Sequence, residues 1–405
     1  MSQALTGIRV VDLSRILAAP LATQTLGDLG ADVIKVERPL VGDDARQYGP
    51  PFLGSAAQGM SAFYLSCNRN KRSTTLDYTS DRGKAVLLEL IARSDVLVEN
   101  FRPGVLAKYG FGYDELHERF PDLVYASVTG FGQDGPYRHR AGYDGIFQAV
   151  SGMMSVSGVP DGEPGAGPMK SGLSLIDILT GLHTSTAVLA ALRHRDHGGG
   201  GQHLDISLVD CGIASMSHVV ENYLVSGEVP QRRGNGGFGG IPSQAFTCSD
   251  GRQLFIVATT NPQFSRACAA LGRPDLVRDP RFDSIAARIE HRLELLAILE
   301  TIFATRPAAE WIAELDDVDV PVSPVNDVRA ALSDPQVLHR EIEMSMQRDA
   351  GDDVPGLRYP VRMSGSPVED YVAPPTLGQD TDEVLTTLLG LSESELGALR
   401  SAHVI

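Results

Sequence analysis

The sequence predicts an α/β fold, with a large domain built on a parallel sheet and a smaller α+β domain interposed before the chain returns. Three observations carry this. β-Branched apolar runs alternate with helical patterns through the first third of the chain, which is how a parallel sheet covered by helices is written. After about residue 240 the order changes to two strands around a turn, followed by a block of helices. From about Gln347 strands return and a last helix closes the chain, so the first domain is discontinuous.

In order, Ile8–Leu13 reads as a buried strand, Ala18–Leu29 as a helix and Val33–Glu37 as a second strand. A helix over Lys84–Ala92, a strand over Asp95–Phe101, a helix over Tyr113–Arg119 and a strand over Leu123–Phe131 continue the alternation. From Ile178 onward apolar residues recur at helical spacing, and the strand-like HLDISLVD from His203 precedes a helical stretch to about Val225. Two strands flank the turn Ser249–Arg252, and helices follow around Phe264–Leu271, Ile285–Thr305 and Ala308–Leu315. The expected organisation is 1–205 for the first part of the large domain and 206–240 for a linker with a glycine loop. The small domain takes 241–325, and 326–405 is a second linker and the return.

A formal net charge of -16 disfavours nucleic acid as the main partner, since phosphate binding needs surplus Lys and Arg, although a local basic pocket fits within it. Cys67, Cys211, Cys248 and Cys268 are far apart and form no C-x-x-C pair, so neither a disulfide framework nor a thiolate metal site is expected. With no signal-like N-terminus and no apolar stretch expected to cross a membrane, the reading is a cytoplasmic enzyme. His194, His197 and His203 flank a run of four glycines, which cannot hold ligands in fixed geometry, so no metal is expected.

Ligands of parallel sheets bind at the carboxyl ends of the strands. The polar residues just past those ends are Arg15, Arg38, Asn100 and Thr129, joined by Asn68, Asn70 and Lys71 on the loop NRNKRS. Together they describe a pocket for a phosphate-bearing ligand. Asp177 stands apart because Leu175 and Ile176 precede it and Ile178 and Leu179 follow, and a carboxylate in such surroundings needs donors, a helix start or a chemical task. Two readings stay open for it, a helix N-cap and a nucleophile. Gly234, Gly236 and Gly239 match G-x-G-x-x-G, yet the match lacks the preceding strand and following helix of a dinucleotide site. With Gly237 and Gly240 these glycines read as a mobile loop able to approach a ligand closely.

At GIRVVDLSRILAAPLATQTLGDLGADVIKVERP, NRNKRS, DVLVENFRPG, AGYDGIFQAVSG and the helix carrying Asp177, the chain resembles the class III CoA-transferase family (CaiB/BaiF type) over essentially its whole length. GDDARQYGPPF, DPQVLHR and PPTLGQDTDEVL look closest to the dicarboxylate branch, which handles succinyl-, glutaryl- or itaconyl-type thioesters. The resemblance implies a ring-shaped subunit with a large Rossmann-like domain in an interlocked homodimer. It implies no tightly bound cofactor, coenzyme A entering as part of the substrate. It makes Asp177 the nucleophile that passes through an aspartyl-CoA thioester, with Tyr143 at the site and the loop Gly236–Gly240, with Gly237 and Gly239, folding over it. Arg38, Asn70, Lys71, Asn100, Phe101, Lys108 and Thr129 would hold CoA, and Leu17 and Ala18 would present backbone N–H groups to the acyl carbonyl. The distal carboxylate of a dicarboxylate needs a cation, for which Arg15 and Arg46 are the candidates.

Two alternatives differ in chemistry. A 2-methylacyl-CoA racemase on the same fold needs a base on each side of Cα, and the family's racemases carry His where this chain has Tyr143, whose ordinary pKa near ~10 makes a poor base. A non-catalytic CoA-binding protein would have no use for Asp177.

Overall fold

The computed structural model describes residues 3–55, 59–237, 239–348 and 352–405. Six strands form the main sheet: β1 (Arg9–Asp12), β2 (Asp32–Glu37), β3 (Lys71–Thr75), β4 (Val96–Glu99), β5 (Val124–Thr129) and β6 (His203–Ser207). Their order across the sheet is β3-β2-β1-β4-β5-β6 and every pairing is parallel, so the chain is mixed α/β with a Rossmann-like sheet. Successive side chains point to opposite faces and fill two cores. Val10, Val33, Val96 and Val124 pack beneath helices α1 (Ala18–Asp28) and α3 (Leu175–His194), whereas Val11, Ile34, Leu97 and Tyr125 pack beneath Asp81–Ile91 and the C-terminal helices. A third helix used below is α2 (Asp144–Val150).

β3 departs from the sequence reading, which took NRNKRS for a loop. Its residues KRSTT are charged or hydroxylic but not exposed. The outer edge of β3 is covered by the C-terminal return, where Asp380 accepts from the Ser73 N–H at 2.7 Å and the Thr381 hydroxyl accepts from the Thr75 N–H at 3.0 Å, leaving no open strand. The helical stretch expected to about Val225 is two helices, Leu208–Ser215 and His218–Ser226.

α3 is, with its extension to Gly199, long and apolar enough by length and composition to cross a membrane, which was not expected. It lies instead along α1, burying Ile176, Val188, Ala191 and Leu192 in the core. Gly181 permits this approach, because a Cβ there would come within 2.7 Å of the Ala18 carbonyl oxygen.

Residues 3–154, 170–229 and 340–405 make one compact unit, and 155–169 with 230–339 make a second. The second has its own antiparallel sheet of Ser243–Thr247, Gln253–Val257 and Val322–Pro324, packed on helices through Phe246, Phe264, Phe303 and Trp311.

Candidate active site

The first unit holds a cavity of about 260 Å³ where β1, β4 and β5 end, at the point where the strand order reverses. This is where a sheet of this topology binds ligands. Residues Arg15 to Ala18 reach it from β1, Asn100 to Pro103 from β4, Thr129 and Gly130 from β5, and Tyr143 and Asp177 from the starts of α2 and α3. Eight residues predicted from sequence thus meet: Arg15, Leu17, Ala18, Asn100, Phe101, Thr129, Tyr143 and Asp177. Arg38 lies in an adjoining cavity of about 130 Å³ that shares Arg15 and Phe101 with the first.

Asp177 is not a helix cap. Ser174 occupies the N-cap position, and Asp177 is the third residue of α3. The N-terminus of α3 is capped from α2: the Asp144 carboxylate accepts from the Ile176 N–H at 2.8 Å and the Asp177 N–H at 3.3 Å. Gln148, one turn on, donates to Asp144 at 2.6 Å and to the Leu173 carbonyl at 3.1 Å, and accepts from the Ser171 N–H at 2.8 Å. This fixes the approach to α3, and sequence reading missed it because a cap from another helix leaves no local signal. The Asp177 carboxylate accepts no hydrogen bond from any described residue. Burial, reinforced by the Asp144 charge, pushes its pKa up to about 7.

α1, by contrast, starts without a side-chain cap. Its N-cap residue, Leu17, has no hydroxyl or carboxylate to offer, and no acidic residue stands in the first turn. The Leu17, Ala18 and Ala19 N–H groups find no acceptor among the described residues, and Leu17 and Ala18 line the cavity. Arg15, Arg102, Arg138 and Arg140 line it too, against the carboxylates of Asp44 and Asp177, so an acidic chain carries a locally basic pocket. Arg15 bonds Asp44 at 2.9 Å and lies 5.3 Å from the Phe101 ring centre, while Arg38 bonds the other Asp44 oxygen at 3.1 Å.

The sequence profile of CoA-transferase family III matches residues 5–381. The chain belongs to that family. Among curated relatives, the transferase is 37% identical over 401 residues to the human succinyl-CoA:glutarate CoA-transferase, covering 99% of this chain and 90% of that one. It is 40% identical to the succinate–glutarate CoA-transferase of Agrobacterium fabrum, covering 95% of each. A crystal structure of a CaiB/BaiF family protein from Brucella suis superposes with a TM-score of 0.86 at 39% identity, covering 96% of this chain and all of that one.

Several expected contacts of the transferase are already engaged inside the protein, and Lys108 lies away from both cavities. Lys71 has a fully buried ammonium that donates to Asp12 at 3.0 Å, the Pro20 carbonyl at 2.8 Å and Asn68 at 3.0 Å, which uses all three of its donors inside the protein. Asn70 donates to Asp28 at 2.8 Å and accepts from the Val372 N–H at 2.6 Å, tying the C-terminal return to the sheet. Arg46 is 2% exposed and locked on Glu37, so it cannot meet a substrate carboxylate. Lys108 is exposed in the turn Ala107–Tyr109 and lines neither cavity. The Thr129 hydroxyl accepts from the Gly132 N–H at 3.0 Å and shapes the turn after β5.

Gly236, Gly237, Gly239 and Gly240 belong to the second unit, and Phe238 between them lies outside the described residues. Two of them serve close packing there: a Cβ on Gly240 would come within 2.8 Å of the Thr259 backbone and one on Gly237 within 3.0 Å of the Ser243 hydroxyl. The G-x-G-x-x-G match remains a coincidence, since no helix follows it.

Proposed function

We propose that this transferase moves CoA between short dicarboxylates, succinyl-CoA being the donor, with Asp177 as the nucleophile. One observation carries the assignment: Asp177 is a cavity-lining carboxylate without a hydrogen-bond donor, beside a helix start whose N–H groups are unoccupied. The names of the human and Agrobacterium relatives and the arginine surplus of the cavity support the substrate class.

In this reading the Asp177 carboxylate attacks the thioester carbonyl, and the oxyanion that develops is met by the Leu17 and Ala18 N–H groups. CoA thiolate leaves, giving a mixed anhydride. The thiolate then attacks the aspartyl carbonyl, expelling the donor acid and leaving an aspartyl-CoA thioester. The acceptor carboxylate attacks that thioester, releasing thiolate once more, and the thiolate takes the acceptor acyl group and frees Asp177. Each step exchanges a carboxylate and a thiolate at an acyl carbon, and the attacking group is already an anion, so no strong base is needed. A carboxylate without stabilising donors is less satisfied and more nucleophilic than a bonded one, provided that it is ionised.

Ionisation gives a pH test. With the Asp177 pKa at about 7, only the deprotonated enzyme attacks, so kcat/KM for the donor should fall about tenfold per pH unit below 7 and level off above it. A profile flat from pH 5 to 8 counts against Asp177 as the attacking group.

The substrate class is tested by mass spectrometry of donor and acceptor panels. Succinyl-CoA with glutarate or another four- to six-carbon dicarboxylate should turn over at least about tenfold faster than with a monocarboxylate of equal length, the expected value of a desolvated ion pair. Equal rates would remove the dicarboxylate assignment. Deuterium entering Cα from solvent without an acceptor would point to racemisation instead.

A further inference from the structure

Between β1 and α1 the backbone is held by side chains. The Ser14 N–H donates to Asp12 at 2.9 Å and the Ser14 carbonyl accepts from the buried Lys35 ammonium at 2.9 Å. The Asn100 amide grips Arg15 at both ends, accepting from its N–H at 2.9 Å and donating to its carbonyl at 2.7 Å. The Ile16 N–H donates to Asp43 at 3.1 Å, and the Ile16 carbonyl accepts from the Cys67 thiol at 3.4 Å. Asp43 is anchored in turn by Lys35 at 2.9 Å, with both side chains fully buried. The next backbone donors, Leu17 and Ala18, are the first without a partner.

These bonds hold an unfavourable conformation. Ile16 has φ +74°, the left-handed region that a β-branched residue avoids most strongly. Left to itself the peptide would relax to negative φ and turn the following N–H groups away.

We propose that Asn100 and Asp43 are positioning residues which hold the Arg15–Ile16 peptides in this strained form, so that the Leu17 and Ala18 N–H groups stay aimed into the cavity. This rests on the transferase reading above, and it takes Asn100 out of the CoA-binding set in which the family resemblance placed it. Asp43 acts on Ile16 and Asn100, just past β4, on Arg15, so losing either frees one neighbouring peptide.

The test is a double-mutant cycle between Asn100 and Ile16, because Asn100 is partly exposed and its removal leaves no charge buried. Asn100→Ala should lower kcat by at least about tenfold with donor KM within about threefold, since the donors are misplaced while CoA contacts remain. In an Ile16→Gly background the same Asn100→Ala change should cost less than about threefold, because glycine adopts positive φ without the clamp. A rise in donor KM with unchanged kcat would return Asn100 to CoA binding and overturn the proposal, as would an equal cost in both backgrounds. Amide hydrogen exchange of the peptide covering residues 13–21 reads the loop independently of any substrate. It should quicken in Asn100→Ala, and unchanged exchange overturns the clamp. Quickened exchange in a protein that transfers no CoA would instead retire the transferase reading and leave the clamp standing.

Discussion

Asp177→Asn should fold, bind CoA and lose turnover by several orders of magnitude, while becoming more heat-stable than the native protein at pH 8. The loss follows because an amide nitrogen cannot form the anhydride. The gain follows from the raised pKa. A carboxyl whose pKa is about 7 in the folded state and 3.8 otherwise binds an extra proton on folding between those values. Its stabilising contribution is therefore complete below about pH 4 and lost as pH rises through 7. At pH 8 the native protein carries an ionised carboxylate in a desolvated place beside Asp144, and asparagine removes that cost, raising Tm by about 2–4 °C for each kcal/mol relieved. Thermal scans at pH 5 and pH 8 check the sign, since the advantage of the variant should shrink at the lower pH. With donor alone, the native protein should accumulate an adduct on the peptide containing Asp177 that hydroxylamine converts to a hydroxamate. An active Asp177→Asn variant, or a label elsewhere, would overturn the mechanism.

Arg46→Ala should unfold rather than desensitise the transferase. The guanidinium donates to both Glu37 oxygens, at 2.8 and 2.7 Å, to the Tyr64 hydroxyl at 2.7 Å and to the Pro375 carbonyl at 3.2 Å, and it stacks 3.9 Å from the Tyr64 ring centre. Burial alone would push Glu37 up, and Arg46 with Lys35 holds it below its ordinary value. Truncating the arginine leaves that buried carboxylate without its ion-pair partner, which costs about 3–5 kcal/mol. The urea midpoint should fall accordingly, with activity lost in proportion to folded protein and the two KM values of the survivors unchanged. A selective rise in acceptor KM at unchanged stability would restore Arg46 as a substrate contact.

The two fates of these residues mark what could be read in the sequence. Asp177 was legible because an acidic residue among Leu175, Ile176, Ile178 and Leu179 violates the apolar pattern around it, and a broken pattern is local information. The strands flanking the switch point were legible for the converse reason, since VIKVE and LVYASVT obey their pattern. Arg46, Lys71 and β3 were not. Their polar residues are satisfied by partners far along the chain, Asp12 for Lys71 and Asp380 for Ser73, so a buried charge looks the same in sequence as a solvated one. The strain at Ile16 was hidden most deeply, because its residue type argues against the conformation that it adopts.

The Arg46 cluster also sets an order of events during synthesis. Glu37 and Tyr64 leave the ribosome early, but the carbonyl that completes the cluster belongs to Pro375, 329 residues after Arg46. Ser73 likewise waits for Asp380. Until then the nascent chain holds a guanidinium short of one acceptor and an open strand edge. Messages that terminate before residue 375 would thus yield fragments in which the guanidinium keeps one acceptor too few and β3 stays available to strangers, a natural substrate for chaperones and proteases.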